Sequence, residues 1–281
     1  MAGASVDGLT KCEIKIFDFD FQKHGGQYRI FVSVPAGPVP GNGYPVIYLL
    51  DGNVTFPMMQ AAQQETGIYP AIMVGIGYPI DSGLDVDRRY FDLTPPTPPD
   101  RIPIVALGRE ACTTGGRDTF FTSLETELKP VIEKMAPVDC SQQAIFGHSL
   151  AGLLVLYILY TSPASFQSYV AADPSIWWNA GSILTEHSRF MENERVRNAK
   201  APVRLLIETA GKRALREGLS QAEAAALMRF RSGPTGKEIA VALGGLSGIH
   251  VSFKELAEKT HGSMLPDTVA DALSFAMNSS S

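Results

Sequence analysis

The clearest chemical signal in this chain is Gly147-His148-Ser149-Leu150-Ala151-Gly152, set between an apolar strand-like run at 143–146 and an apolar helical run at 150–160. A serine at so sharp a strand-to-helix turn exposes its hydroxyl and tolerates only small neighbours, an arrangement that suits a covalent nucleophile toward acyl groups. Gly147, Ala151 and Gly152 meet that requirement, and Ala151 departs from G-x-S-x-G by a single methyl group. Serine is also a common helix cap, but the strand before and the helix after favour the nucleophile reading of Ser149. The helix start would aim its free amides and positive dipole end at a developing oxyanion. His148, beside the serine, points elsewhere and reads as a structural or site-lining residue.

A serine hydroxyl needs a base, and there are 5 histidines to choose from. His24 lies in an early hairpin turn and His187 in a polar stretch, so both are expected to be solvated. His250 begins the last strand. His261 follows that strand and precedes the final helix, where chain order places a base that acts on Ser149. For the carboxylate that would orient it, Glu208, Glu217 and Asp173 are all candidates, and a Ser-His dyad without a third member is a fourth answer. There is no H-x-x-E-H or comparable ligand cluster, so neither a metal nor another cofactor is expected.

These residues need a scaffold that brings strand ends together. Alternating strands at 12–19 and 27–34, joined by the turn residues His24-Gly25-Gly26, predict an antiparallel opening pair. Short apolar runs at 45–50, 71–77, 143–146, 169–172, 203–207 and 250–256 predict strands covered on both faces, as in a mostly parallel sheet. An amphipathic helix is expected at 120–135, a buried one at 150–160 and a last one at 266–277. Strands alternating with helices imply an α/β, doubly wound architecture with helices on both faces, in one domain over 1–281. An irregular stretch at about 81–116, rich in Pro and Asp in its first part, is expected to be a functional loop. Residues 211–236 predict one helix and a loop, and the tail at 279–281 is expected to be disordered.

Composition narrows the function classes. A net charge of −5, with no stripe of Lys and Arg, argues against nucleic acid or an anionic membrane as partner and for a small molecule. The 3 cysteines, Cys12, Cys112 and Cys140, fit neither a disulfide framework nor a C-x-x-C site and are expected to be buried thiols. The N-terminus lacks the order of a signal peptide, and no apolar run reaches membrane-spanning length, so a cytoplasmic location is expected.

Further segments give the chain a family likeness: LLDGN at 49–53, VGIGYP at 74–79, RRYFDLTP at 88–95, Gly115-Gly116, ELKPVI at 127–132, GHSLAGL, DPSIWW at 173–178 and HGSMLP at 261–266. With these the sequence resembles the putative-esterase family of α/β hydrolases that includes siderophore trilactone hydrolases such as the enterobactin and salmochelin esterases. The resemblance implies an α/β-hydrolase fold and hydrolysis of an ester or lactone, with a ferric siderophore as one candidate substrate. It further implies an oxyanion hole made by the amide of Gly52 or Asn53 together with that of Leu150. It also implies a substrate-holding role for Arg89, for which the alternative is an ion pair with Asp92. Trp177 and Trp178 could stack on a ligand or simply pack. Where the family commonly has an acidic G-E segment after the seventh strand, this chain reads Ala210-Gly211-Lys212, and the first serine of the S-P-S-x-W-W pattern is Asp173. That coincidence suggests that Asp173 has taken over the orientation of His261. The competing functions are a general short-chain carboxylesterase and a non-catalytic binding protein on the same fold.

Overall fold

The computed structural model describes residues 12–66, 71–81, 83–103, 110, 112–194, 203–212, 220–231 and 233–277. Eight strands form one sheet: β1 (Cys12–Asp20), β2 (Gln27–Pro35), β3 (Tyr44–Leu50), β4 (Ile72–Gly77), β5 (Val138–His148), β6 (Ser168–Ala172), β7 (Val203–Lys212) and β8 (Ile249–Thr260). Their order is β1-β2-β4-β3-β5-β6-β7-β8. β1 and β2 pair antiparallel, as does β2 with β4, and every pairing from β4 through β8 is parallel. The mostly parallel sheet with an antiparallel opening pair is therefore what the hydrophobic runs imply.

Helices cover both faces. The helices are α1 (Gly52–Thr66), α2 (Val86–Leu93), α3 (residues 117–135), α4 (Leu150–Thr161), α5 (Ile183–Glu192), α6 (Gln221–Phe230), α7 (Gly236–Leu243) and α8 (Leu265–Met277). Alternation along β3 shows how the layers divide: Val46, Tyr48 and Leu50 join the core under α3 and α4, whereas Ile47 and Leu49 join Phe56 and Met59 of α1 and Val269, Ala272 and Leu273 of α8. α4 is apolar nearly all round because both the sheet and outer helices cover it, with Leu153, Leu154, Val155, Ile158 and Leu159 all buried. No helix among the described residues is long and apolar enough to cross a membrane.

The stretch expected to be irregular at 81–116 contains α2, whose start is capped by the Asp85 side chain accepting from the amide of Arg88. α2 is tied to the opening hairpin by a buried polar cluster. Asp92, 1% exposed, accepts from the Tyr28 hydroxyl at 2.8 Å and bonds Nε2 of His24 at 2.8 Å. The other ring nitrogen of His24 bonds Thr119 of α3 at 2.7 Å. The hairpin is held from below as well: the Glu127 carboxylate, within a single π-helical turn of α3, accepts from the amides of Gln22 and Lys23 at 2.7 and 3.0 Å. His24 is thus buried rather than solvated, because the turn folds down onto α2 and α3. His187 is likewise half-buried, with its ring against Tyr160 and its basicity lowered by burial. The cysteines are free thiols, but Cys140 is exposed and Cys12 and Cys112 only half-buried, so they are not the core residues expected.

Replacing Asp92 with Ala would strand the buried Tyr28 hydroxyl and the His24 ring. We expect a loss of about 3 kcal/mol in urea unfolding, whereas an exposed control such as Asp20→Ala should stay within about 0.5 kcal/mol.

Candidate active site

Strand register explains how distant residues meet. Leu49 of β3 lies beside Phe146 of β5, so the residues that follow, Gly52-Asn53 and Ser149-Leu150, leave the sheet at the same edge. His148 lies beside Ala172 of β6, which places Ser149 next to Asp173. The crevice at the carboxyl ends of a parallel sheet, where strand order reverses, is the usual place for a site in such folds.

Ser149 has φ 63° and ψ −117°, a backbone shape that L-residues rarely adopt. The turn is tight enough that a Cβ on Gly147 would sit 2.4 Å from the backbone of Ala151, and one on Gly152 would press against the carbonyls of Ala172 and Gly147 at 3.1 Å. The main chain of Ser149 is anchored by its amide, which donates to Ala172 at 2.9 Å, and by its carbonyl, which accepts from Leu153 and Ser175 at 3.0 and 3.1 Å. Its hydroxyl lies 3.0 Å from Nε2 of His261. Nδ1 of the same ring is 2.6 Å from Oδ2 of Asp173. A carboxylate can only accept, so Nδ1 carries the proton and Nε2 is left to accept from the serine. Burial would raise the Asp173 carboxyl, but the His261 hydrogen bond and charge and the Ala210 amide outweigh it, holding the group below its usual range and ionised.

The structure thus brings Ser149, His261 and Asp173 together and leaves Glu208 out. Glu208 does not reach His261, which corrects its candidacy as the orienting acid. On β7 it falls on the same face as Leu206, toward α8, and it is fully buried there near Asp271. Burial first, then the Asp271 carboxylate, pushes its pKa up to about 9. Glu217 lies outside the described residues.

Two further contacts carried no signal in the sequence. The ring of His148 stacks on His261 at 4.5 Å and its Nε2 donates to the His261 carbonyl at 2.8 Å. Burial, then the neighbouring His261, lowers the His148 pKa to about 4, so this donor is a neutral imidazole that pins the β8–α8 loop. The hydroxyl of Ser175 lies 3.4 Å from that of Ser149; only a map of strand neighbours could have pointed to it.

The segment where an oxyanion hole was expected is held by a buried pair. Asp51, at φ 57°, receives both Nε and Nη2 of Arg89 at 2.5 and 2.8 Å, with the two residues 8% and 9% exposed. Arg89 therefore pairs with Asp51 and not with Asp92, whose two carboxylate oxygens are taken by His24 and Tyr28. Its guanidinium is enclosed against the loop, which counts against the direct substrate contact implied by the resemblance. Gly52 begins α1 under β4, where a Cβ would meet the Gly75 and Ile76 backbone at 2.7 Å. The Asn53 side chain spans to the backbone of Tyr78, accepting from its amide at 2.7 Å and donating to its carbonyl at 2.9 Å. First-turn amides of a helix have no acceptor within it, and those of Gly52, Asn53 and Leu150 belong to that class. Trp178 is buried and its Nε1 donates to Thr97 at 2.9 Å, so it packs; Trp177 is half-buried against the same core.

The raised pKa of Glu208 has a thermodynamic consequence. The folded protein keeps a proton that the unfolded chain releases near pH 4.5, so stability falls as pH rises from there toward about 9. Glu208→Gln should remove that slope in Tm, raise Tm at pH 8 and leave ester turnover intact; an unchanged slope, or loss of turnover, would contradict this placement.

The family described as putative esterase matches residues 22–208, which include Ser149 and Asp173. The ferri-bacillibactin esterase BesA of Bacillus subtilis is 38% identical over 260 residues, covering 89% of this chain and 85% of that protein. A siderophore enterobactin esterase of Emericella nidulans is 38% identical over 197 residues, 64% of each chain. Among solved structures, the BES protein of Bacillus cereus superposes with a TM-score of 0.79 at 31% identity, over 97% of this chain and 99% of that one. The siderophore hydrolase EstA of Aspergillus nidulans follows at 0.78 and 26%, over 100% and 99%. By the extent of the family match and the identity over nearly its whole length, this chain belongs to the putative-esterase family, on an α/β-hydrolase fold.

Proposed function

We propose that this protein is a serine esterase that opens the ester bonds of a siderophore backbone, with Ser149 as nucleophile, His261 as general base and acid, and Asp173 as the carboxylate that orients the imidazole. The observation that carries the reading is the continuous relay from the Ser149 hydroxyl to His261 at 3.0 Å and on to Asp173 at 2.6 Å. The hydroxyl proton passes to Nε2 as Oγ attacks the ester carbonyl, and the imidazolium so formed is stabilised by the ionised Asp173. The carbonyl oxygen gains its charge against the amide of Leu150 and that of Gly52 or Asn53, at the start of two helices whose dipoles favour an anion. His261 then returns the proton to the leaving alkoxide. Water, activated by the same base, releases the acid and restores the hydroxyl.

The siderophore assignment is supported by relatives named for bacillibactin, enterobactin and triacetylfusarinine C esters. Turnover of ferric and iron-free catecholate trilactones, set beside p-nitrophenyl esters of graded length, tests it: trilactones should be preferred in kcat/KM, and a preference for short simple esters would make this a general carboxylesterase instead.

For the machinery itself, an organophosphate probe should add its mass at Ser149 in the folded protein and not in Ser149→Ala. Asp173→Asn should keep the fold and lower kcat by roughly 10³–10⁴-fold, as expected when the imidazole loses its orienting carboxylate. A probe that leaves folded protein unlabelled would sink the esterase reading.

A further inference from the structure

Ser175 is a buried polar residue beside the relay to which the relay gives no role. It lies on the turn that follows β6 and is 2% exposed. The turn is stiff. Asp173 has φ 38°, the ring of Pro174 fixes its own φ, and the Ile176 amide donates back to the Pro174 carbonyl at 2.8 Å. Ser175 is tied at both ends of its backbone: its amide donates to the Ser149 carbonyl at 3.1 Å, and its carbonyl accepts from the Trp178 amide at 3.0 Å. The first turn of α4 closes from the other side, where a Cβ on Gly152 would stand 3.2 Å from Cα of Pro174. Main-chain contacts alone therefore hold Ser175 against the nucleophile.

Its hydroxyl has a narrow choice of partners. Among the described residues its one hydrogen-bond contact is Oγ of Ser149, at 3.4 Å. Alanine here would keep every main-chain contact, whereas serine adds a buried hydroxyl, a group that destabilises a fold wherever it lacks a partner.

The relay sets the direction of this contact. Nδ1 of His261 carries the proton that faces Asp173, so Nε2 accepts, and the single hydroxyl proton of Ser149 is committed to it. Oγ of Ser149 then offers only lone pairs, and Ser175 is the donor. At 3.4 Å the contact is longer than a good O–H···O bond, as catalytic contacts often are before substrate is bound. It strengthens as Oγ becomes negative, because a hydrogen bond to a charged oxygen is worth more than one to a neutral hydroxyl. Oγ carries such charge twice in an acyl-enzyme cycle: once as its proton leaves for Nε2, and once as the acyl–oxygen bond breaks and the electron pair returns to it.

We propose that Ser175 is a further catalytic residue, whose hydroxyl donates to Oγ of Ser149, holds that oxygen with its own proton facing His261, and stabilises the charge it carries while its bond to the acyl group forms and breaks. The inference rests on the serine-esterase reading and adds to it a donor aimed at the nucleophile itself, distinct from the amides assigned to the carbonyl oxygen. The proton count is unchanged: Nε2 takes and returns the one proton, and the O–H bond of Ser175 stays intact throughout.

The rate at which an organophosphate modifies Ser149 reads the reactivity of Oγ without recognition of a large substrate. Ser175→Ala should lower that second-order rate constant by about tenfold to a hundredfold, the worth of one hydrogen bond to a charged group, and should lower kcat and kcat/KM for p-nitrophenyl butyrate together. Ser175→Thr and Ser175→Val separate chemistry from packing, since both add the same branch and only threonine keeps the hydroxyl; the threonine variant should react about fivefold faster or more. Should the branched pair not fold, Ser175→Cys, which keeps a weaker donor on an unbranched side chain, takes their place: a rate between those of wild type and Ser175→Ala supports the proposal, and one no better than Ser175→Ala overturns it. A rate for folded Ser175→Ala within about threefold of wild type also overturns it and leaves the esterase reading standing, as does equal slowing in the threonine and valine variants. Wild-type protein that takes no label at Ser149 removes the esterase reading itself, and the role of Ser175 falls with it.

Discussion

The positive φ of Ser149 is the constraint on which the rest of this molecule turns. A residue held there needs a strand that ends abruptly, a helix that starts without a spacer and neighbours with almost no side chain. β5, α4 and the pair Gly147 and Gly152 supply these. Their hydrogen bonds to β6 and to Ser175 make the strain affordable, because the serine backbone is fixed from both sides. The same geometry lifts the hydroxyl out of the sheet and leaves the Leu150 amide at a helix start. The placements of the Ser149 hydroxyl and of the Leu150 amide are thus consequences of a single backbone turn.

The other side of the crevice depends on buried charge. Asp51 and Arg89 form a two-pronged pair with little access to water, and such a pair costs desolvation that only good geometry offsets. Its value here is positional. α2 reaches in one direction with Arg89 to hold the Asp51-Gly52-Asn53 segment and in the other with Asp92 to hold the opening hairpin through His24 and Tyr28. The antiparallel β1–β2 pair is in this way connected to the Asp51-Gly52-Asn53 segment.

A comparable division of labour runs through the histidines. His261 has one nitrogen for Asp173 and one for Ser149, so the backbone of its loop must be held by something else. His148 does this, and its burial keeps it neutral, so it adds no second positive charge beside the imidazolium that catalysis would create.

Much of this was legible in the residues themselves. The periodicity of apolar positions determined the strands, their order as elements and the helices at α3, α4 and α8. The glycines around Ser149 marked its turn, and chain order singled out His261. What only tertiary structure decided was pairing. Glu208 and Asp173 both follow apolar strand runs and are equivalent to any pattern of types, yet alternation sends Glu208 toward α8 while Asp173 tops β6 beside Ser149. Arg89 has Asp92 one helical turn away, but the folded hairpin fills both oxygens of Asp92 with His24 and Tyr28, and Arg89 bonds Asp51 across the loop. α2 itself escaped notice because a helix of two turns, followed at once by a Pro-rich run, is too short to establish a period. A sequence can specify which groups are present and which strands they follow, whereas the partner of a charged side chain depends on which strand ends become neighbours when the sheet assembles.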